Sequence, residues 1–242
     1  MRERYGGFWT TLGCIVIGLL LASCAPPADE LRLTQRHWRQ APDWDAGMGR
    51  EEADFLRRPE ARASRDAGGL HLLLRDGKSV TVAEDRACIG GAAQKHDVLR
   101  DCVRKYAIAR FAERGYWLLA VRLREGEAYA LVSEASGQET LLIGPPYFSP
   151  DGRHFAAVNK SLQGDTVNGI EVWRLEPAGP ELVFFHEEKG DAGYDFADWF
   201  SADTARLTYR GCIGKPDALC ERPREAVLTG RNGKWRLVPW TR

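Results

Sequence analysis

The sequence predicts an all-β domain of about four antiparallel units, reached after a signal-like N-terminus and a polar spacer. Three observations lead there. From Leu70 onwards, short runs of β-branched, aromatic and leucine residues are separated by Gly, Asp and Asn turns. One strand–turn–strand outline recurs along the chain. Helical spacing of apolar residues is confined to residues 98–109 within this region.

At the N-terminus, Arg2 and Arg4 precede an apolar run over residues 8–22, interrupted by Thr10, Thr11, Gly13 and Gly18. This is the layout of a secretory signal peptide. A run of roughly fifteen residues falls short of the about twenty that a membrane-crossing helix needs, so removal is expected rather than a permanent span. The run closes on Leu21-Ala22-Ser23-Cys24, which resembles the lipobox of bacterial lipoproteins. The alternative is an ordinary secretory signal with a cysteine at its cleavage site. The resemblance implies that residues 1–23 are removed and that Cys24 is lipidated, each buried methylene of its acyl chains contributing about 0.8 kcal/mol to anchoring. In that family an aspartate after the cysteine commonly retains the protein at the inner membrane; Ala25 stands there. The implied location is the outer membrane, with the folded part facing the periplasm.

Of the six cysteines, Cys14 lies in the signal and Cys24 takes the lipid, leaving Cys88, Cys102, Cys212 and Cys220. An even set in an oxidising compartment reads as disulfides, and four cysteines allow three pairings. The local pairing, Cys88 with Cys102 and Cys212 with Cys220, is the expectation. A four-cysteine zinc site is the competing reading, but it uses tighter pairs than these.

The whole chain carries 34 basic and 34 acidic side chains; losing Arg2, Arg4 and Glu3 leaves 34 − 2 = 32 against 34 − 1 = 33. A neutral mixed surface lacks the basic stripe of nucleic-acid binders. The 242 − 23 = 219 residues that remain suffice for one sizeable domain.

Residues 24–69 read as the lipidated cysteine and a polar spacer, rich in Arg, Glu, Asp and Ala and broken by Pro42 and Pro59. Short helices at 30–40 and 51–57 would need packing to persist. Trp38 and Trp44 either pack onto the domain or mark a contact surface.

The domain proper is expected over residues 70–242. Strands at 70–75 and 79–82 flank Asp76-Gly77-Lys78, a hairpin turn. Strands follow at 116–124, 127–133, 138–143, 154–159, 169–175, 181–186, 205–210, 225–229 and 234–238. The fullest unit starts at Phe148-Ser149-Pro150-Asp151-Gly152-Arg153-His154-Phe155, where Pro150 presets φ and Asp151-Gly152 supplies the turn. It continues through Gly169-Ile170-Glu171-Val172-Trp173-Arg174-Leu175 and residues 181–186. The outline recurs at Phe111-Ala112-Glu113-Arg114-Gly115-Tyr116 and at Trp199-Phe200-Ser201-Ala202-Asp203-Thr204. The hairpins 127–143, 170–184 and 226–238 correspond, and 70–82 is half of a further unit. This resembles the blades of WD40-like and TolB-like β-propellers, over about residues 70–240, without their Trp-Asp ending and with an insertion around Cys88 and Cys102. A small or irregular propeller-like domain of about four antiparallel blade units is the fold expected from the resemblance; an open meander or sandwich of the same hairpins is the alternative.

The chain contains no nucleophile elbow, metalloprotease motif, phosphate loop or dinucleotide fingerprint. The five histidines, His37, His71, His96, His154 and His186, are scattered singly. No catalytic residue, metal or cofactor is assigned. Two polar segments are candidate contact surfaces: the acidic link over residues 187–198, with Asp191, Tyr194, Asp195 and Asp198, and the 159–168 connection, with Asp165 and Asn168. In a propeller such links gather on one face, and loops of this kind bind more often than they catalyse. The leading expectation is a non-enzymatic module that binds an envelope protein, as an assembly factor, inhibitor or immunity-type protein. The alternative is an envelope hydrolase acting on glycan or peptide through loop carboxylates.

Overall fold

A computed structural model describes residues 44–84, 104–123, 126–160, 167–188, 192–211, 223–231 and 233–239. Cys24, Cys88, Cys102, Cys212, Cys220, Asp165 and Asp191 lie outside the described residues. Helix α1 (Trp44–Leu56) and a 3-10 turn (Pro59–Ala61) lead into four antiparallel sheets. Sheet I holds β1 (Ala63–Asp66), β2 (Gly69–Leu73) and β3 (Ser79–Val82). Sheet II holds β4 (Arg104–Phe111), β5 (Tyr116–Leu123), β6 (Gly126–Ser133) and β7 (Glu139–Leu142). Sheet III holds β8 (Pro146–Phe148), β9 (His154–Asn159), β10 (Gly169–Glu176) and β11 (Gly179–Glu187). Sheet IV holds β12 (Gly193–Ser201), β13 (Thr204–Arg210), β14 (Arg224–Arg231) and β15 (Lys234–Pro239). Each is a meander in which neighbours in sequence pair in space.

The all-β class therefore holds, as three four-stranded sheets and a three-stranded one. The corresponding hairpins read from the repeat are the last two strands of sheets II, III and IV.

The sheets stack in chain order, with a core layer between each pair. Along β5, Trp117, Leu119 and Val121 join sheet I, while Tyr116, Leu118 and Ala120 join sheet III. Along β9, Phe155 and Ala157 face sheet II, while Ala156 and Val158 face sheet IV. Burial on both faces explains why Tyr-Trp-Leu-Leu-Ala-Val reads as an unbroken apolar run rather than an alternating one.

Two expectations are corrected. Residues 98–109 are not helical where described: Arg104–Phe111 is a strand, bulged between Ala107 and Ala109. The boundary at Leu70 falls inside sheet I, because β1 pairs with β2 over Ala63↔Leu72 to Asp66↔Gly69. Residues 44–69 are thus part of the folded body. Phe55 and Ala61 lie in the core with Leu70 and Trp117, and the Trp117 indole N–H donates to the Ala61 carbonyl at 2.8 Å.

Polar side chains also seal the first segment to the open edge of β4. The Ala107 N–H donates to Glu52 of α1 at 2.8 Å and the Lys105 N–H to Glu84 at 3.1 Å. Arg65 of β1 donates to the Lys105 carbonyl while pairing with Glu52 at 2.6 Å and with Glu84 at 2.9 Å. An edge strand presents unpaired backbone groups that need covering. A helix, the buried Glu52 and the partly buried Glu84 cover this one.

Candidate functional site

The meander order divides the molecule into two ends. The turns 74–78, 112–115, 134–138, 149–153, 177–178 and 202–203 lie at one end, and all are short. Strands meet the longer connections, including those carrying the four downstream cysteines, at the other.

The turn end is fixed by the chemistry that the repeat made legible. The Ser149 side chain accepts the His154 N–H at 3.1 Å and donates to Asp151 at 2.7 Å; Asp151 in turn accepts the Arg153 N–H at 3.1 Å. Gly152 sits at φ 66°, where a side chain would be strained. In sheet IV the Ser201 hydroxyl donates to Asp203 at 2.7 Å. This Ser-x-Asp clasp is the same device without Pro and Gly.

At the loop end the two candidate segments meet. The Glu188 N–H donates to the Asn168 carbonyl at 2.8 Å, and Lys160 Nζ lies 3.6 Å from Asp195. A Cβ on Gly193 would come within 2.8 Å of the Lys160 side chain, so the approach of β12 to the end of β9 requires glycine. The acidic link, expected to be a loop, is largely strand: Gly193–Ser201 is β12.

That correction splits the candidate residues between two faces. Tyr194 points into the layer shared by sheets III and IV. Its hydroxyl donates to Glu188 at 3.1 Å, and His186 lies 3.2 Å from the same oxygen. Burial, reinforced by the Glu188 carboxylate, pushes the Tyr194 phenol above its ordinary value, so it remains a donor. Asn168 is buried as well, with its carbonyl on the Glu188 N–H. Asp195 and Asp198 occupy the opposite face of sheet IV. Asp195 pairs with Arg210 at 2.7 Å, and both oxygens of Asp198 accept from Arg206, at 3.0 and 2.9 Å. Arg206 also lies over the Phe200 ring, 5.4 Å from its centroid. Phe200 is among the exposed aromatic side chains.

Chemically, the loop end presents charges of both signs, Lys160, Arg210, Asp195 and Glu188, while the Asp198–Arg206 pair lies farther along sheet IV toward the 202–203 turn. Of the four described carboxylates of the acidic link, Asp195 and Asp198 are held by guanidinium groups and Glu188 accepts the Tyr194 hydroxyl. Among the described residues no three His, Cys, Asp or Glu side chains converge as a metal would require.

Glu171 is not singled out by any pattern in the sequence. On β10 it occupies the face of sheet III turned toward sheet II and is only 8% exposed. One of its oxygens accepts the Trp173 indole N–H at 3.0 Å and the Ile143 N–H at 3.2 Å. No ion pair reaches it among the described residues. Burial raises its pKa, opposed by those two hydrogen bonds. In Gly-Ile-Glu-Val-Trp an isolated glutamate looks like the solvated side of a half-buried strand. Only the stacking of a sheet on each face makes it internal.

A raised carboxyl pKa contributes stability that is full below the unfolded value of 4.5 and is lost as pH rises through the folded value. Glu171→Gln keeps the shape and an acceptor for Trp173. The variant should therefore be the more stable at pH 7, on the order of 1 kcal/mol, with the difference shrinking as pH falls toward 4.5. Urea unfolding of both proteins across that range checks it; a difference that grows toward acid would reverse the sign.

No family model, curated protein or solved structure matches this chain.

Proposed function

We propose that the chain is a lipid-anchored, periplasm-facing lipoprotein that binds an envelope protein without catalysing a reaction, with its four sheets as the blades of a small, irregular propeller. The observation that carries the reading is the division between the ends. One end is closed by short clasped turns, while at the other the strands meet the longer connections and present the charges of Lys160, Asp195, Arg210 and Glu188. Rim charges of both signs steer and register a partner more than they add raw affinity. Cys88 and Cys102 fall between β3 and β4 and Cys212 and Cys220 between β13 and β14, and the two local disulfides would stiffen these connections.

The test uses the mature protein in two arms. Cys24→Ser should move the protein from the membrane pellet to the soluble periplasmic fraction, while the wild type carries the mass of its acyl chains. Changing Asp191, Asp195 and Asp198 together to Asn should leave the circular-dichroism spectrum intact, since exposed ion pairs contribute only about 0–1 kcal/mol each. The same variant should slow association with the envelope protein that the wild type retains and flatten its salt dependence. Turnover of peptidoglycan, peptide or ester by the wild type that vanishes in the triple variant would establish a hydrolase instead.

A further inference from the structure

Strand β11 closes sheet III on its outer side, and no strand pairs with its far edge among the described residues. Its ladder with β10 sets Leu182 opposite Trp173 and Phe185 opposite Glu171, with a bulge at Val183 between them. Leu182 and Phe185 consequently share the face of sheet III that looks toward sheet II, yet they are 45% and 48% exposed. The covering strand explains the exposure. β7 has four residues, Glu139–Leu142, and crosses obliquely from near Gly179 at the start of β11, beside Gln138, to Ile143 against Glu171 on β10. On this face the exposed Leu182 and Phe185 stand across the ladder from Trp173 and the buried Glu171, a shelf that is apolar except for that carboxylate.

The shelf carries negative charge that the described residues do not answer. Glu171 is buried without a cation, and Glu187, at the end of β11, makes no ion pair among the described residues. A buried carboxylate without a counter-ion is costly, and an aromatic face beside a carboxylate favours a cation.

We propose that the outer edge of β11 is the docking site for an extended strand of a partner protein, whose lysine or arginine passes over Phe185 and Trp173 to pair with Glu171. Adding a strand to an open edge supplies main-chain hydrogen bonds for affinity and side-chain positions for specificity. Strands lie about 4.8 Å apart, so the residue opposite Phe185 on an added strand stands roughly 10 Å from the Glu171 backbone, within the combined reach of a lysine and a glutamate side chain. Apolar residues two positions to either side of that lysine alternate onto the same face and meet Leu182 and the Phe185 ring. The bulge at Val183 and Pro180 at the strand start break the edge toward the turn end, which confines pairing to the half of β11 beside Glu171. The site lies toward the loop end but on the face of sheet III turned toward sheet II, apart from the Lys160, Asp195 and Arg210 charges, and its failure leaves the reading of those charges untouched.

The test uses the mature full-length chain and a fluorescein-labelled peptide amide, Thr-Val-Thr-Lys-Thr-Val-Thr, beside the same peptide with norleucine for lysine. Fluorescence anisotropy should find the lysine peptide bound roughly tenfold more tightly by the wild type. Glu171→Gln should abolish the preference while keeping the fold, and Phe185→Ser should weaken both peptides. Capture of the envelope protein at the loop end should be unchanged in both variants. Equal affinity for the two peptides, or no binding of either, overturns the proposal. So does self-association in sedimentation velocity that Phe185→Ser removes and the lysine peptide does not compete, since the edge is then occupied by a second copy of the chain.

Discussion

Replacing Trp117 with alanine should lower the free energy of unfolding by about 3–5 kcal/mol, the range for truncating a buried large aromatic side chain. Trp117 is fully buried in the layer that joins α1, sheet I and sheet II. Its removal opens a cavity bordered by Leu70, Leu72 and Phe55 and orphans the Ala61 carbonyl that its indole N–H satisfies at 2.8 Å. Leu70 and Leu72 lie on β2 and Phe55 on α1, so they cannot close the gap without moving the strand or the helix. Trp117→Phe recovers part of the packing but not the hydrogen bond, and should fall between the two. Chemical denaturation followed by tyrosine and tryptophan fluorescence separates them. A loss below about 1 kcal/mol for the alanine variant would mean that the first layer is not a cooperative part of the core.

The second large effect concerns Glu52, 4% exposed on a helix whose sequence reads as tether. Glu52→Ala removes the acceptor of the Ala107 N–H and one of the two carboxylates on Arg65, at 2.8 and 2.6 Å. Breaking a buried pair by deleting one partner typically costs 3–5 kcal/mol. Arg65 keeps Glu84 at 2.9 Å, which places the expected loss near the lower limit, about 3 kcal/mol. A tether residue would cost within about 0.5 kcal/mol. Thermal or urea unfolding of this single variant therefore decides whether residues 44–69 belong to the folded unit.

What the sequence made legible depended on how locally each element is determined. β3 and β9 begin and end where the pattern puts them, because Asp76-Gly77-Lys78 and Ser149-Pro150-Asp151-Gly152 fix their turns through bonds within a few residues. The first strands of sheets II, III and IV have no bounds legible in the sequence, although the blade outline implies that Phe148 ends one of them, as it does. β4 is bulged at Ala107 and follows an apolar spacing that imitates a helix. β8 has three residues and opens on Pro146. β12 places Asp195 and Asp198 among aromatics, so a strand with one ion-paired face looks like an acidic loop. The same limit hid the N-terminal segment. Glu52, Arg65 and Glu84 are polar in composition yet mutually satisfied, a fact that exists only once β1 and β4 are brought together. At the candidate site, Tyr194 and Asn168 were found by their place between strands, but their burial against Glu188 was not foreseeable from that spacing.

The stacking of sheets in chain order has a consequence for how the molecule is made. A chain delivered N-terminus first completes each meander from neighbouring residues, which keeps loop closure short and folding fast. Yet each finished meander presents an apolar face until the next one arrives. Sheet II is the critical arrival, because it covers sheet I and α1 on one side and exposes Tyr106, Leu118, Tyr129 and Leu131 on the other until Phe155 and Ala157 are in place. Nascent fragments ending between Ile143 and Phe155 should therefore be the stickiest lengths of the growing polypeptide and those in most need of a holding chaperone.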